Sequence, residues 1–193
     1  AGGSPTGVVR RRGLALVPDG KWGRAVRGQA SSQLAYDVVG NLGLDRGTIE
    51  FFAKFEPFGE GQWKYSLVHV SGVQGMELGV ARQGRSAGIV LGWKIGRHTS
   101  WVSNAQRFLY YGTWQHYAIT WDLTAGLGKG VFSVFVGGAR RIHATDVDPF
   151  AWSPDQLSPG SSYTGASIDD LAIYDDVRYV EGFQPRQKPL ARV

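Results

Sequence analysis

The residues of this chain best suited to chemistry are rings set beside cations. Trp93-Lys94, and the span from Arg97-His98 to Trp101, place indoles next to hydrogen-bond donors. An indole stacks on the apolar face of a sugar ring, and a neighbouring Lys or Arg reaches a carboxylate or sulfate, Arg with two parallel bonds. Trp93, Lys94, Arg97 and Trp101 are therefore the predicted ligand contacts, with Trp63, Tyr110 and Tyr111 as further rings in or beside loops. Arg82 and Arg85 would join Lys94 and Arg97 in one basic patch if the segments 76–81 and 88–95 pair as a hairpin. A competing reading is available at each point: rings of a β-sandwich pack readily in its core, and a basic cluster is often a solvated loop tip.

Signs of catalysis are sparse. The chain has no cysteine, which excludes a thiol nucleophile, cysteine-ligated zinc and disulfides. His69, His98, His116 and His143 are scattered over separate segments, and no two have zinc-ligand spacing. His116 shares a strand face with Trp114, so it lines a cleft or packs and hydrogen-bonds across a sheet; packing is the expected role. Gly126-Leu-Gly-Lys-Gly130 looks like a phosphate loop but lacks the Lys-Ser/Thr ending and leads into a strand, so no helix dipole is aimed at a phosphate. Asp169 and Asp170 are adjacent in an extended segment, where alternation would turn their side chains to opposite faces. One of them must then face inward, where a lone carboxylate is costly.

The elements that hold these residues are strands. Gly112-Thr-Trp-Gln-His-Tyr-Ala-Ile-Thr-Trp-Asp122 alternates in period two, with large rings on both faces, as in a central strand of stacked sheets. In residues 47–55, Ile49, Phe51, Ala53 and Phe55 form a core face. Thr48, Glu50 and Lys54 form a wetter one, interrupted by Phe52. Further strands are expected over residues 13–17, 25–29, 34–38, 65–70, 76–81, 88–95, 99–102, 114–121, 131–136, 139–143 and 167–174. The even spacing, the 28 glycines and the near absence of helical periodicity indicate a sandwich or barrel. Pro18-Asp19-Gly20 marks a turn, Gly137-Gly138 a two-residue hairpin, and residues 144–163 the longest loop.

A chain of 193 residues with this spread of hydrophobic side chains suits one domain. Residues 1–12, ending in Arg10-Arg11-Arg12, read as a flexible basic arm, residues 13–181 as the domain, and residues 182–193 as a basic tail along its surface. The net charge is +5, with an excess of +6 in residues 1–100 and −1 in the remainder. The basic half is compatible with anionic glycans, nucleic acid or an acidic protein surface, and equally with simple solubility. No apolar run approaches the ~20 residues needed to span a bilayer, so no membrane insertion is expected. The chain begins at Ala1 without a methionine or a signal-peptide core, consistent with a removed leader, a trimmed methionine or an excised piece.

Four motifs occur in order: Gly47-Thr-Ile-Glu-Phe-Phe52, the Gly112–Asp122 strand, Val134-Phe-Val-Gly-Gly138 and Ser167-Ile-Asp-Asp-Leu-Ala-Ile-Tyr174. Together they resemble the concanavalin A-like lectin/glucanase superfamily, specifically laminin G-like jelly-roll domains, from about Gly13 to Tyr174. Gly137 departs from the Asp or Asn usual at that hairpin position, and glycine adopts the same turn. The resemblance implies an all-β, jelly-roll β-sandwich of two antiparallel sheets, and this fold hosts many activities. Retaining glucanases of the fold carry Glu-x-Asp-x-x-Glu on one strand. None of Glu50, Glu56, Glu60, Glu77 and Glu181 has an Asp two residues on, so no enzymatic activity is expected.

In domains of this kind an aspartate at the Asp169-Asp170 position binds a structural Ca²⁺. The resemblance thus implies Asp170, or Asp169, as the metal ligand, with a further carboxylate from Asp19, Asp37 or Asp45. The alternative is that these aspartates bond loop amides or pair with an arginine. The leading expectation is a non-catalytic module, extracellular or on a cell or virion surface. Its partner would be carbohydrate, an anionic glycan or another surface ligand. The runner-up is a virion structural or decoration protein held to neighbouring protein subunits by its arm and tail, and the third is a glycan-cleaving enzyme. Nucleic acid is not an expected partner.

Overall fold

The computed structural model describes residues 2–3, 8–37, 42–43, 45–60, 64–73, 75–82, 89–95, 98–102, 104–126, 129–147, 153–159 and 166–187. Its strands are β1 (Gly2–Gly3), β2 (Val8–Gly20), β3 (Gly23–Asp37), β4 (Arg46–Phe55), β5 (Lys64–Val73), β6 (Met76–Arg82) and β7 (Ile89–Ile95). They continue as β8 (His98–Val102), β9 (Gln115–Asp122), β10 (Gly130–Val136), β11 (Ala139–Val147), β12 (Ser153–Pro159) and β13 (Ala166–Tyr174). A single 3₁₀ turn, Ala105–Arg107, is the helical element among the described residues.

The period-two strand predicted from sequence is β9, and it sits where a doubly buried strand must. It pairs with β4 on one side, Thr120 opposite Thr48 and His116 opposite Phe52. On its other side it pairs with β10, Ile119 opposite Val134. One layer runs β11-β10-β9-β4-β13 and the other β12-β5-β6-β7-β8. The long β3 joins them, pairing through Val26 and Arg27 with β13 and through Tyr36 and Asp37 with β12. All of these pairings are antiparallel. Side chains of alternate parity from the two layers interdigitate between them: Trp93 of β7 stacks on Phe132 of β10 at 4.6 Å, in one buried cluster with Phe51, Ile119, Leu91 and Val134. The architecture is the two-layer antiparallel jelly-roll sandwich expected from the motifs.

Gly137 and Gly138 close the β10–β11 hairpin with φ of 60° and 81°, the pair of positive angles that a tight two-residue turn requires.

Several local expectations change. Arg10, Arg11 and Arg12, assigned to an arm, lie in β2 opposite Ala35, Leu34 and Gln33 of β3, because the first hairpin is longer than its apolar core. Gly2 and Gly3 pair with Tyr174 and Ile173 of β13. The expected loop 144–163 contains the end of β11 and all of β12, whose prolines hide a strand that pairs with β5. The wetter face expected for β4 is also buried: Thr48, Glu50 and Phe52 are at most 4% exposed. The cover comes from residues far along the chain, the Lys21–Trp22 turn and the segment 175–187.

Candidate functional site

A shallow groove lies on the outer face of β5-β6-β7-β8. Register aligns Gly79 of β6, Gly92 of β7 and Trp101 of β8 in one row across the sheet. Two glycines side by side lower the floor, and the Trp101 ring lies along it: a Cβ on Gly92 would fall 2.0 Å from Trp101 Cζ3. The other side of the ring faces solvent, and Trp101 is 50% exposed. The next row carries Glu77, Lys94 and Thr99. Lys64 of β5 lies over Gly79 and ion-pairs with Glu77. The result is a shallow groove of about 80 Å³. It offers an aromatic platform, a hydroxyl, a neutralised Lys–Glu pair and the Lys94 ammonium, which has no ion pair among the described residues.

Of the four residues predicted as contacts, the fold brings Lys94 and Trp101 together. Trp93 borders the groove, but its ring points between the layers, 7% exposed and stacked on Phe132, and so is not offered as a stacking platform. Neighbouring side chains of a strand point to opposite sides, so the Trp93 ring and the Lys94 ammonium do not share a face. Arg97 lies outside the described residues, as do Trp63 and Arg85. Segments β6 and β7 do form the expected hairpin. However, Arg82 is opposite Ile89 at one end while Lys94 is opposite Glu77 at the other, roughly 17 Å away at the rise of an antiparallel strand. They form no common patch. Tyr110 and Tyr111 are exposed but do not line the groove; Tyr111 meets the rings of Phe55 and Phe58 instead. Glu77, Thr99 and Lys64 were missed from the sequence; the i, i+2 spacing of Lys94 and Gly92 and the Gly-rich rows were the available signal.

The second concentration of chemistry is buried on the outer face of the opposite layer. Glu50, 2% exposed, receives hydrogen bonds on Oε1 from Tyr174 Oη (3.0 Å) and on Oε2 from Tyr179 Oη (2.6 Å) and His116 Nε2 (3.2 Å). Arg186 Nη1 adds its charge at 3.4 Å from Oε1. Burial pushes the Glu50 carboxyl up, but the bonds from His116 and Tyr179 and the Arg186 charge outweigh it and hold the group down at about 2. The covering segment is fastened along its length. Thr48 Oγ1 donates to Asp176 O and accepts from the Arg178 N–H, Arg140 bonds Val180 O, and the Phe183 N–H bonds Gly138 O. Phe183 stacks on Tyr179 at 3.6 Å and meets the edges of His116 and Phe135. His116 is thus a packed histidine bonded across the sheet.

The two aspartates do not occupy simple opposite faces. Between Asp169 and Ala172 the β13–β4 register slips, and Asp170 adopts a left-handed φ of 55°. Asp169 Oδ2 accepts the Trp22 N–H at 2.9 Å, and Asp170 Oδ2 lies 3.1 Å from Arg186 Nη2. Asp19 is held by Lys54, Asp45 is exposed at the start of β4, and the Asp37 side chain lies outside the described residues. No three His, Cys, Asp or Glu side chains assemble a metal-type cluster among the described residues. Asp170 thus lies beside a guanidinium and Asp169 accepts a backbone amide, the pairings the sequence left open as the alternative to calcium.

A further motif passed over in the sequence is Gly84-Arg-Ser-Ala-Gly88, which has the Gly-x-Ser-x-Gly spacing of a nucleophile elbow. It joins the neighbouring antiparallel strands β6 and β7, not a strand and a helix, and its residues lie outside those described.

Comparison with known proteins bears on the fold these sites are built into. The family model described as the concanavalin A-like lectin/glucanases superfamily, a laminin G type, matches residues 28–181. The chain belongs to this family. Among solved structures, domain 4 of the extracellular arabinanase of Geobacillus stearothermophilus, in complex with arabinotriose, is similar with 17% identity and a TM-score of 0.58. That match covers 91% of this chain and 82% of the other. A botulinum neurotoxin type C structure, from a toxin whose cell entry depends on two ganglioside molecules, matches at 12% identity and a TM-score of 0.59 over 88% of this chain. The binding domain of botulinum neurotoxin DC with rat synaptotagmin II matches at 10% identity and 0.60 over 88%. This chain spans 43% of each toxin chain. No curated protein matches it. At these identities the likeness is one of fold, so the laminin G-like sandwich is common ground while each ligand belongs to its own protein.

Proposed function

We propose that this chain is a non-catalytic carbohydrate-binding module that takes a glycan along the outer groove of β5–β8, with acidic sugars preferred. The observation that carries the reading is the Trp101 ring laid flat on the Gly92 backbone with its free side to solvent, flanked by Lys94 and Thr99. A sugar stacks its apolar face on the ring, Thr99 and the Lys64–Glu77 pair meet hydroxyls, and Lys94 meets a carboxylate or sulfate. The arabinotriose of the arabinanase domain and the ganglioside dependence of the toxin support carbohydrate as the ligand class, and action outside the cell or at a surface.

Binding is favoured over cleavage by the groove's acids. Glu77 is the one carboxylate among its described lining residues and is committed to Lys64, whereas glycoside hydrolysis of the usual kind needs two. The described parts of the expected arm and tail are engaged within the chain, Gly2–Gly3 with β13 and residues 175–187 with the covered face, which gives assembly through them no specific support.

Titration calorimetry against polygalacturonate, a sulfated glycan and a neutral arabinan, at low and high salt, tests the reading. Wild type is expected to bind with salt-sensitive affinity, W101A to lose about tenfold or more without a change in melting temperature, and K94A to lose the salt-sensitive part. Failure of the wild type to bind any glycan, or full affinity in W101A, refutes it.

A further inference from the structure

The calcium implied at Asp170 has a competitor in this chain. Arg186 Nη2 donates to Asp170 O at 2.7 Å and lies 3.1 Å from Asp170 Oδ2, while Nη1 lies 3.4 Å from Glu50 Oε1. One guanidinium therefore faces a carbonyl and two carboxylates, all oxygens and all hard donors, the kind of shell a cation such as Ca²⁺ takes. The carbonyl is available because the bulge and the left-handed Asp170 turn it out of the β13 ladder. The side chains are deeply placed, Glu50 at 3% exposure, Asp170 at 10% and Arg186 at 19%. Two negative charges in so enclosed a space require a positive one. The residue that supplies it stands at position 186, beyond the 28–181 stretch the family model covers.

We propose that Arg186 is the resident cation of this site, so that the fold is independent of calcium. Vacating the guanidinium would create a divalent-cation site on Glu50 Oε1, Asp170 Oδ2 and Asp170 O, completed by water. Asp169 is not part of it, being engaged by the Trp22 N–H on the far side of the bulge. A divalent ion fits the vacated position because it restores charge to the two carboxylates and accepts oxygen ligands at flexible geometry. Tyr174 and Tyr179, whose hydroxyls bond Glu50, sit close enough to pass excitation to a lanthanide placed there. Residues 182–187 are on this account an integral part of the domain that delivers its cation, not a tail lying on it.

The test is made on the full chain with wild type, R186A and R186M, the last keeping aliphatic bulk without charge. Melting is measured in EDTA, in millimolar CaCl₂ and in NaCl of equal ionic strength, and Tb³⁺ luminescence is read under tyrosine excitation. Wild type is expected to melt at the same temperature in all three solutions and to show no sensitised Tb³⁺ emission. The variants are expected to melt about 10 °C lower in EDTA, to recover several degrees in CaCl₂ but not NaCl, and to sensitise Tb³⁺. A wild-type melting temperature that falls in EDTA overturns the proposal, as do variants whose melting is insensitive to calcium. Should R186A fold only in calcium the proposal stands; should neither variant fold with or without calcium, the claim that a metal replaces the guanidinium is lost.

Discussion

Replacing Glu50 with Gln isolates the charge at the centre of the covered face. The shape is kept, but the amide offers one acceptor where the carboxylate offers two, against four donors from Tyr174, Tyr179, His116 and Arg186. The size of the effect follows from titration. The carboxyl stands at about 2 in the folded chain against an ordinary 4.5, and at ~1.4 kcal/mol for each pH unit the difference is about 3 kcal/mol. A depressed folded value means the stabilisation is complete above the unfolded value and is lost as pH falls toward the folded one. The gap between wild type and E50Q should therefore be largest from pH 6 to 7, narrow by about 2 kcal/mol by pH 3, and nearly close by pH 2. Guanidinium denaturation at a series of pH values measures it, and the difference between the two proteins cancels every carboxylate they share. At neutral pH the same gap should lower the E50Q melting temperature by about 10 °C. A gap that stays constant between pH 7 and pH 2.5 would refute the reasoning, because it would assign the loss to packing and not to ionisation.

Two further outcomes follow from close approaches of backbone and side chain. Gly92→Ala places a methyl where the Trp101 ring lies, 2.0 Å from Cζ3; the exposed ring swings off the floor at a stability change under about 1 kcal/mol, while glycan affinity falls as in W101A, read by calorimetry and melting on one preparation. Gly138→Ala meets both a φ of +81° and the Phe183 carbonyl 1.9 Å from the new carbon, so it should cost more than about 1 kcal/mol and lower the melting temperature by several degrees without touching the groove.

What was legible in the sequence was what depends on neighbours along a strand. The alternation of residues 114–121 located β9 and its two ring-bearing faces, and Gly137-Gly138 announced a turn that needs two positive φ angles. Glu50 was read as solvent-facing because its own strand alternates. Its burial is imposed by Tyr179 and Arg186, 129 and 136 positions away, and nothing local encodes that. The Asp169–Asp170 alternation failed for a related reason: a bulge changes the count, and only the register against β4 reveals it. Trp93 is different. The turning of its ring away from the Lys94 side chain follows from strand geometry alone and was open to inspection in the sequence.

The distribution of charge over the two layers argues for a division of labour. A strongly perturbed carboxylate in a structure is ordinarily a candidate for catalysis, and Glu50 is such a group. Yet the direction of its shift runs against that role. A general acid needs its proton held to near the working pH, which burial without partners achieves; Glu50 has partners on both oxygens and gives up its proton far below that range. Its cover is also its partner set, since Tyr179 and Arg186 belong to the segment that closes the face. Any substrate reaching Glu50 would first have to remove the donors that define its chemistry. Across the sandwich the order is reversed: the groove of Trp101 and Lys94 is open, holds an exposed ring and a cation without an ion pair among the described residues, and its single lining carboxylate is neutralised by Lys64. The covered face commits its charges to holding the chain together, and the proposed recognition falls to the layer where rings and cations still face the solvent.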